Sequence, residues 1–366
     1  MTVGTRSVLF GAHAFWLHIW FLAAAWVRIF GIPWEIRLWV AFAVHDLGYV
    51  GKNDVEGPDG ETHVELGARI MGFLFGDSWA DFAACHSRYW AKGMNRPVSA
   101  LCIADKLAFV LTPAWLYLPM TRATGELAEY MRRAKERLGP GQILIASVVG
   151  TPDPSDTPEG LIADYTRCAV WAAEAGADVI EVQLAAPNPF GEPGQMIYES
   201  IPLSAQILYR IRTTLSLPIV AKLGVFRTPR LLHETATKLA PWTSGFVLVP
   251  GIPRRVLDED GNAAFEGREL VDVVGASTYA VCARQVEEMI AWRKAGAWDH
   301  AILAIGGITT LVRARDLLGD GASAALVDTA AIFDPLFAVR FRSTTGAVPR
   351  AATKVAPVPA RKVAAR

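Results

Sequence analysis

The sequence predicts two domains of different class: an all-α helical bundle over residues 1–137, then an α/β, TIM-barrel-like partial β/α barrel over residues 141–342. Three observations carry this. The chain has 366 residues, enough for two domains that each bury a core. Its first part consists of long apolar-periodic runs with few β-branched clusters, the pattern of helices. After Gly139-Pro140-Gly141-Gln142, short β-rich runs alternate with amphipathic ones, and repeated βα units of this kind build a parallel sheet, most often a barrel.

Residues 8–27, VLFGAHAFWLHIWFLAAAWV, carry no formal charge and are long enough to cross a bilayer; the AAA after a basic start also mimics the end of a signal peptide. His13 and His18 inside this stretch favour a buried helix of a soluble, cytoplasmic protein, with membrane association as the alternative. PWEIRLWVAFAV, residues 33–44, starts a helix near Pro33 and spaces its large apolar residues along one face. TGELAEYMRRAKERLGPG, residues 124–141, has a start signal in Thr124 and a stop in Gly139-Pro140. The strands read as ILIASVVG, DVIEVQLA, PIVAKLG, GFVLVPG, AILAIGG and SAALVDTA. Six strands, two short of a closed barrel, leave an edge that another domain or a second subunit covers, so a homo-oligomer is expected. Residues 346–366, rich in Ala, Pro and basic residues, read as a disordered basic tail.

With 36 basic and 36 acidic residues the formal charge is zero, which argues against a broad nucleic-acid-binding face. Cys85, Cys102, Cys168 and Cys282 lie far apart, which argues against a disulfide framework or zinc ribbon and suits a reducing cytoplasm.

Five of the seven histidines fall in the first 86 residues, in the order His13, His18, His45-Asp46, His63 and His86, followed by Asp105. His45 alone reads as a residue at the negative end of a helix that Gly48 stops. A lone histidine on a helix is more often packed than ligating. Asp105, however, lies in an apolar helix, where burying its charge is costly without a cation or ion pair. Helices that each deliver one ligand to a common centre make a metal site, and mixed imidazole and carboxylate donors suit Mn, Fe, Co, Ni, Zn or Mg.

The order His…His-Asp…His…His…Asp resembles the HD-domain superfamily of metal-dependent phosphohydrolases over residues 8–135, with HDLGY, HVELGARIM and IADKLAF as the matching segments. The resemblance implies a core site of His13, His45, Asp46 and Asp105, with His63 and His86 allowing a second ion. His13 is preferred to His18 because it lies 32 residues before His45, with Gly31-Ile32-Pro33 at the turn of the first helix. Asp46 would bridge two cations around a hydroxide. Arg88, Lys92 and Lys106 would neutralise the phosphate of a small-molecule substrate. GKNDVEGPDGET, between Asp46 and His63, reads as a polar loop over the mouth of that site.

DVIEVQLAAPNPFGEPGQ resembles the dihydroorotate dehydrogenase family, and so do the third-strand region SVVGTPDPSDTPEG, PIVAKLG, AIGGITT and LVDTA, over residues 141–340. That resemblance implies FMN contacts at Lys222, Gly306, Gly307, Thr329 and Asn188, the phosphate being held by backbone N–H groups. Gln183, Ala185 and Ala186 stand where the family has Asn, Ser and Cys. Ala186 occupies the position of the catalytic base and cannot accept a proton. VDVVGAS is at best a remnant of the family's glycine-rich stretch.

The expectation is therefore hydrolysis of a phosphate ester, a nucleotide's among the candidates, by metal-activated water, with a catalytically degenerate barrel. Its alternatives are an FMN-dependent oxidoreductase carrying a metal-binding helical appendage, and a non-catalytic ligand-binding fusion.

Overall fold

The computed structural model describes residues 1–345 apart from 54, 56, 57, 152–156 and 265–269; the basic tail expected over 346–366, and part of the polar loop before His63, lie outside the described residues. The chain forms two compact units, one of Met1–Leu144 with Glu174–Ala177, the other running from Ile145 to Ala173 and from Asp178 onward.

The first unit is helical: α1 (Val3–Phe10), α2 (Phe15–Phe30), α3 (Ile36–Val44), α4 (Pro58–Glu61), α5 (Val64–Phe75), α6 (Asp77–Ala84), α7 (Arg88–Gly93), α8 (Ala100–Leu111), α9 (Ala114–Thr124) and α10 (Glu126–Glu136). Its core is a layer of Leu22 and Ala25 from α2, Phe42 from α3, Met71 from α5, and Leu101, Ala104 and Ala108 from α8. Small residues on α8 let α2 lie close against it. His18, Leu22, Ala25 and Trp26 form the buried face of α2, while Trp16, Trp20, Val27 and Phe30 are exposed. Gly31, with φ of +84°, ends α2. No single helix among the described residues is long and apolar enough to cross a membrane.

One boundary differs from the sequence expectation. Thr124 does not start a helix. It is the last residue of α9, and Gly125, in the left-handed region at φ of +86°, separates α9 from α10. The Thr124 hydroxyl instead donates to the buried Glu126 carboxylate at 2.5 Å. A threonine with an acid two residues on resembles a helix start, but the glycine between them takes the break.

The second unit alternates β1 (Ile145–Val148), α11 (Pro158–Glu174), β2 (Val179–Gln183), α12 (Ile201–Thr214), β3 (Ile219–Leu223), α13 (Pro229–Leu239), β4 (Gly245–Leu248), β5 (Ile252–Arg254), β6 (Val271–Val273), α14 (Tyr279–Lys294), β7 (Ala301–Ile305), α15 (Leu311–Asp320), β8 (Ala324–Leu326), α16 (Thr329–Phe333) and α17 (Phe337–Thr345). Six strands pair in parallel in the order β1-β2-β3-β4-β7-β8, giving the curled sheet of a partial TIM-like barrel. β5 and β6 form a separate antiparallel pair that the sequence reading did not resolve as strands.

Side chains alternate across each strand. Ile180, Val182, Ala221, Phe246 and Ala304 point to the helix-covered face and are wholly buried. The inner face carries Val220, Val247 and Leu303, with Val179, Ile305 and Leu326 packed against them. Glu181, Gln183 and Lys222 share that inner face by the same alternation, so the polar residues of β2 and β3 stand above an apolar layer.

Candidate functional site

Two constellations stand out, one in each unit. In the helical unit, His18 comes from α2, His45-Asp46 from the end of α3, His63 from the start of α5, His86 from the turn after α6, and Asp105 from the middle of α8; all six are buried. Two glycines make the approach of α5 possible. A Cβ on Gly48 would sit 1.8 Å from the His63 carbonyl oxygen, and one on Gly67 would sit 2.8 Å from that of Val44. Gly48→Ala is therefore expected to push His63 away and cost about 1–3 kcal/mol of stability, read by thermal denaturation with His63 displacement seen by NMR.

The ligand atoms fall into two groups that share Asp46: His18, His45, Asp46 and Asp105, and Asp46, His63 and His86, the atoms of each group lying within 4.8 Å of one another. Asp46 turns one oxygen to each. Its Oδ2 is 3.2 Å from His45 Nε2 and 3.9 Å from His18 Nε2, while its Oδ1 is 3.5 Å from His86 Nε2 and 3.7 Å from His63 Nε2. Asp105 Oδ1 lies 2.9 Å from His18 Nε2 and 3.6 Å from His45 Nε2.

Three of the imidazoles are oriented from behind. The Nδ1 of His45, His63 and His86 donates to the carbonyl of Phe42 (3.1 Å), Gly60 (2.7 Å) and Ala83 (2.5 Å). A carbonyl only accepts, so each neutral ring keeps its Nε2 lone pair toward the centre. His63 and His86 then face each other with Nε2 atoms 3.0 Å apart, a repulsive contact unless a cation or proton stands between them. Among the described residues, His18 Nδ1, His45 Nε2 and Asp46 Oδ2 are buried without a hydrogen-bond partner. This donor set fits one or two divalent cations.

Without such a cation the cluster balances its own charge. Burial works against a charged His45, but the neighbouring Asp46 and Asp105 carboxylates outweigh it and raise its pKa to about 10. Burial likewise opposes ionisation of Asp46 and Asp105; the charge of His45 overcomes it at Asp46, and the His18 hydrogen bond with the nearby His45 charge overcomes it at Asp105, so both stay below the usual range. Burial, aided by His86 and opposed by Asp46, lowers His63 to about 3.

The structure places His18, not His13, with these groups. His13 lies ahead of α2, its Nδ1 2.7 Å from Ser7 Oγ and its ring 4.6 Å from that of Tyr49. Counting back from His45 did not locate the start of α2, which leaves His13 in the turn and His18 on the helix. Arg88, Lys92 and Lys106 are exposed on α7 and α8.

In the barrel unit a cleft of about 230 Å³ opens at the C-terminal ends of the strands, where β/α barrels and open α/β sheets place ligands. Gln183, Ala185 and Lys222 line one end, Gly306, Gly307, Thr309, Asp328 and Thr329 the other, and Gly251 and Asp272 the wall between. Lys222 is bound to Glu181 at 2.9 Å. Gly306 and Gly307 have φ of +114° and +66°, and a Cβ on Gly307 would meet the Tyr279 backbone nitrogen at 2.5 Å. Arg313 props this turn, donating to the Gly307 carbonyl at 2.7 Å and the Thr309 hydroxyl at 3.1 Å.

Of the residues expected from sequence, Lys222, Gly306, Gly307 and Thr329 line the cleft. Asn188 does not. Its amide donates to Gln195 at 3.1 Å and its carbonyl oxygen accepts from the Phe190 amide at 3.1 Å, so it shapes its own loop. Sequence reasoning missed Glu181, Asp272 and Arg313. Glu181 was the most findable, sharing its strand face with Gln183 across from Lys222.

Comparison with known proteins bears on the two constellations unequally. No family model matches the chain. A dihydroorotate dehydrogenase of Dictyostelium discoideum is 24% identical over 226 residues, 57% of this chain and 57% of that protein. The chain thus spans a little over half the length of that relative. A crystal structure of DHODH from Eimeria tenella in complex with ferulenol matches with 17% identity and a TM-score of 0.46, covering 62% of each chain. Dihydroorotate dehydrogenase-like homology therefore extends over about 57% of the chain. These findings overturn the hydrolase reading: the matched relative is a dehydrogenase, and nothing matched supports an HD-type bundle or phosphohydrolase. The metal-like order of His and Asp residues records which side chains are buried together, and that alone does not fix a reaction.

Proposed function

We propose that the chain is an FMN-dependent oxidoreductase of the dihydroorotate dehydrogenase type, with the helical unit as a metal-binding appendage. The carrying observation is the donor set of the cleft: an ammonium at one end, a glycine turn with Thr309 and Thr329 at the other. That set suits a molecule with a polar heterocycle at one end and a phosphate at the other, the phosphate taken by backbone N–H groups and hydroxyls. Lys222 would hold the heterocycle, and the Gly306-Gly307 turn and Thr329 the phosphate. When bound, FMN supplies two-electron acceptor chemistry. The chain's own residues would orient it and bring Gln183 and Ala185 against the substrate. Neither Ala185 nor Ala186 has an atom that takes a proton, so the substrate's proton leaves by another route than in the family.

The test is FMN titration of the full chain beside Lys222→Ala, followed by anaerobic mixing with L-dihydroorotate. The reading expects saturable binding that weakens about tenfold or more in the variant, the scale of one lost charge-assisted hydrogen bond. Equal affinity in both proteins, or none in either, would overturn it.

A specific observation supports the appendage: the facing Nε2 lone pairs of His63 and His86, together with the unpartnered buried atoms around Asp46. Imidazole and carboxylate donors suit a borderline divalent ion such as Zn, Mn, Fe, Co or Ni, with Mg the harder alternative.

A further inference from the structure

We infer that Glu181 is a positioning residue for the barrel cleft: its carboxylate fixes the Lys222 ammonium and sets the net charge that this ammonium presents to a bound flavin. The inference rests on reading the cleft as an FMN site.

The strand register builds the pair. β2 and β3 run parallel with Glu181 beside Val220 and Gln183 beside Lys222. Lys222 therefore reaches diagonally back along the inner face to Glu181, and the ammonium meets the carboxylate at 2.9 Å. Both side chains are largely enclosed, at 13% and 6% exposure. Val220 and Val247 are the register neighbours of Glu181 and Lys222, and with Leu303 they form the apolar layer against which the pair is held. Lys222 lines the cleft and Glu181 does not, which places the carboxylate behind the ammonium as seen by a ligand. An ammonium has three donors; Glu181 takes one and directs the remainder.

Two other carboxylates, Asp272 and Asp328, line the cleft, but among the described residues Lys222 makes its ion pair with Glu181 alone. The charge at that end is then close to neutral. Reduced FMN carries additional negative charge on its pyrimidine ring, and a neutral pair stabilises that charge less than a free ammonium does. Glu181 thereby lowers the reduction potential of the bound cofactor while holding the lysine in one rotamer.

The experiment compares wild type, Glu181→Gln and Lys222→Met as full-length holoproteins, reading oxidised-FMN affinity and midpoint potential separately. Glutamine keeps the shape and an acceptor for Lys222 but removes the charge. Glu181→Gln is expected to bind oxidised FMN within about threefold of wild type, with a more positive potential equivalent to about tenfold tighter relative binding of the reduced form. Lys222→Met is expected to shift the potential the opposite way, and it carries the test if Glu181→Gln does not fold. Flavin-loaded variants with the wild-type potential would overturn the role of Glu181 and leave the FMN site standing. Failure of the wild type to take up FMN would overturn both.

Discussion

Asp46→Ala is expected to leave the helical unit without bound divalent metal and to lower its stability by about 3–5 kcal/mol. The size follows from what one side chain does. Its Oδ2 serves the His18, His45 and Asp105 group, and its Oδ1 serves His63 and His86. Its removal breaks both groups at once and strips buried His45 of the carboxylate that most favours its charge. His63→Ala, by contrast, touches one group and should cost one ion at most. Metal analysis of the purified variants beside thermal denaturation reads both effects. Full metal content in Asp46→Ala would exclude Asp46 as the shared ligand, and a metal-free wild type would mean that the cluster is a buried polar network and not a cation site.

Gly307→Val is expected to abolish FMN binding and to destabilise the barrel unit by about 3 kcal/mol. Valine is among the residues least tolerant of φ near +66°, and its Cβ would run into the Tyr279 backbone at 2.5–2.7 Å, where no flexible tip can yield. The turn that Arg313 props would have to open, carrying the Gly306 and Gly307 amides away from the cleft. Denaturation midpoints and flavin fluorescence quenching, measured together, separate the two effects. Undiminished FMN binding by a folded Gly307→Val would exclude this turn as the phosphate cradle.

The parallel strands were legible because each is a compact β-rich run between helical segments, and burial on the helix-covered face demands that pattern. β5 and β6 were not: three residues each, set among Gly, Pro and charged residues, they carry no period. In the helical unit, His45, Asp46, His63, His86 and Asp105 were readable as a set, but the choice between His13 and His18 was not made by spacing. The useful signal was local. His18, Leu22, Ala25 and Trp26 recur at helical intervals and define the buried face of α2, whereas His13 precedes the helix. Inferring hydrolysis from that set went further than the residues allowed, since the same buried donors serve structural, regulatory and catalytic ions alike. The Glu181–Lys222 pair was readable in principle, because strand alternation places both on one face, but only the register shows that they meet.

The most direct test of the central claim is an equilibrium titration of the flavin-free full-length chain with FMN, followed by quenching of flavin fluorescence. Saturation at one FMN per chain is expected, with riboflavin binding more weakly because it lacks the phosphate that the Gly306-Gly307 turn and Thr329 would hold. No saturable quenching, or equal binding of riboflavin and FMN, would contradict it.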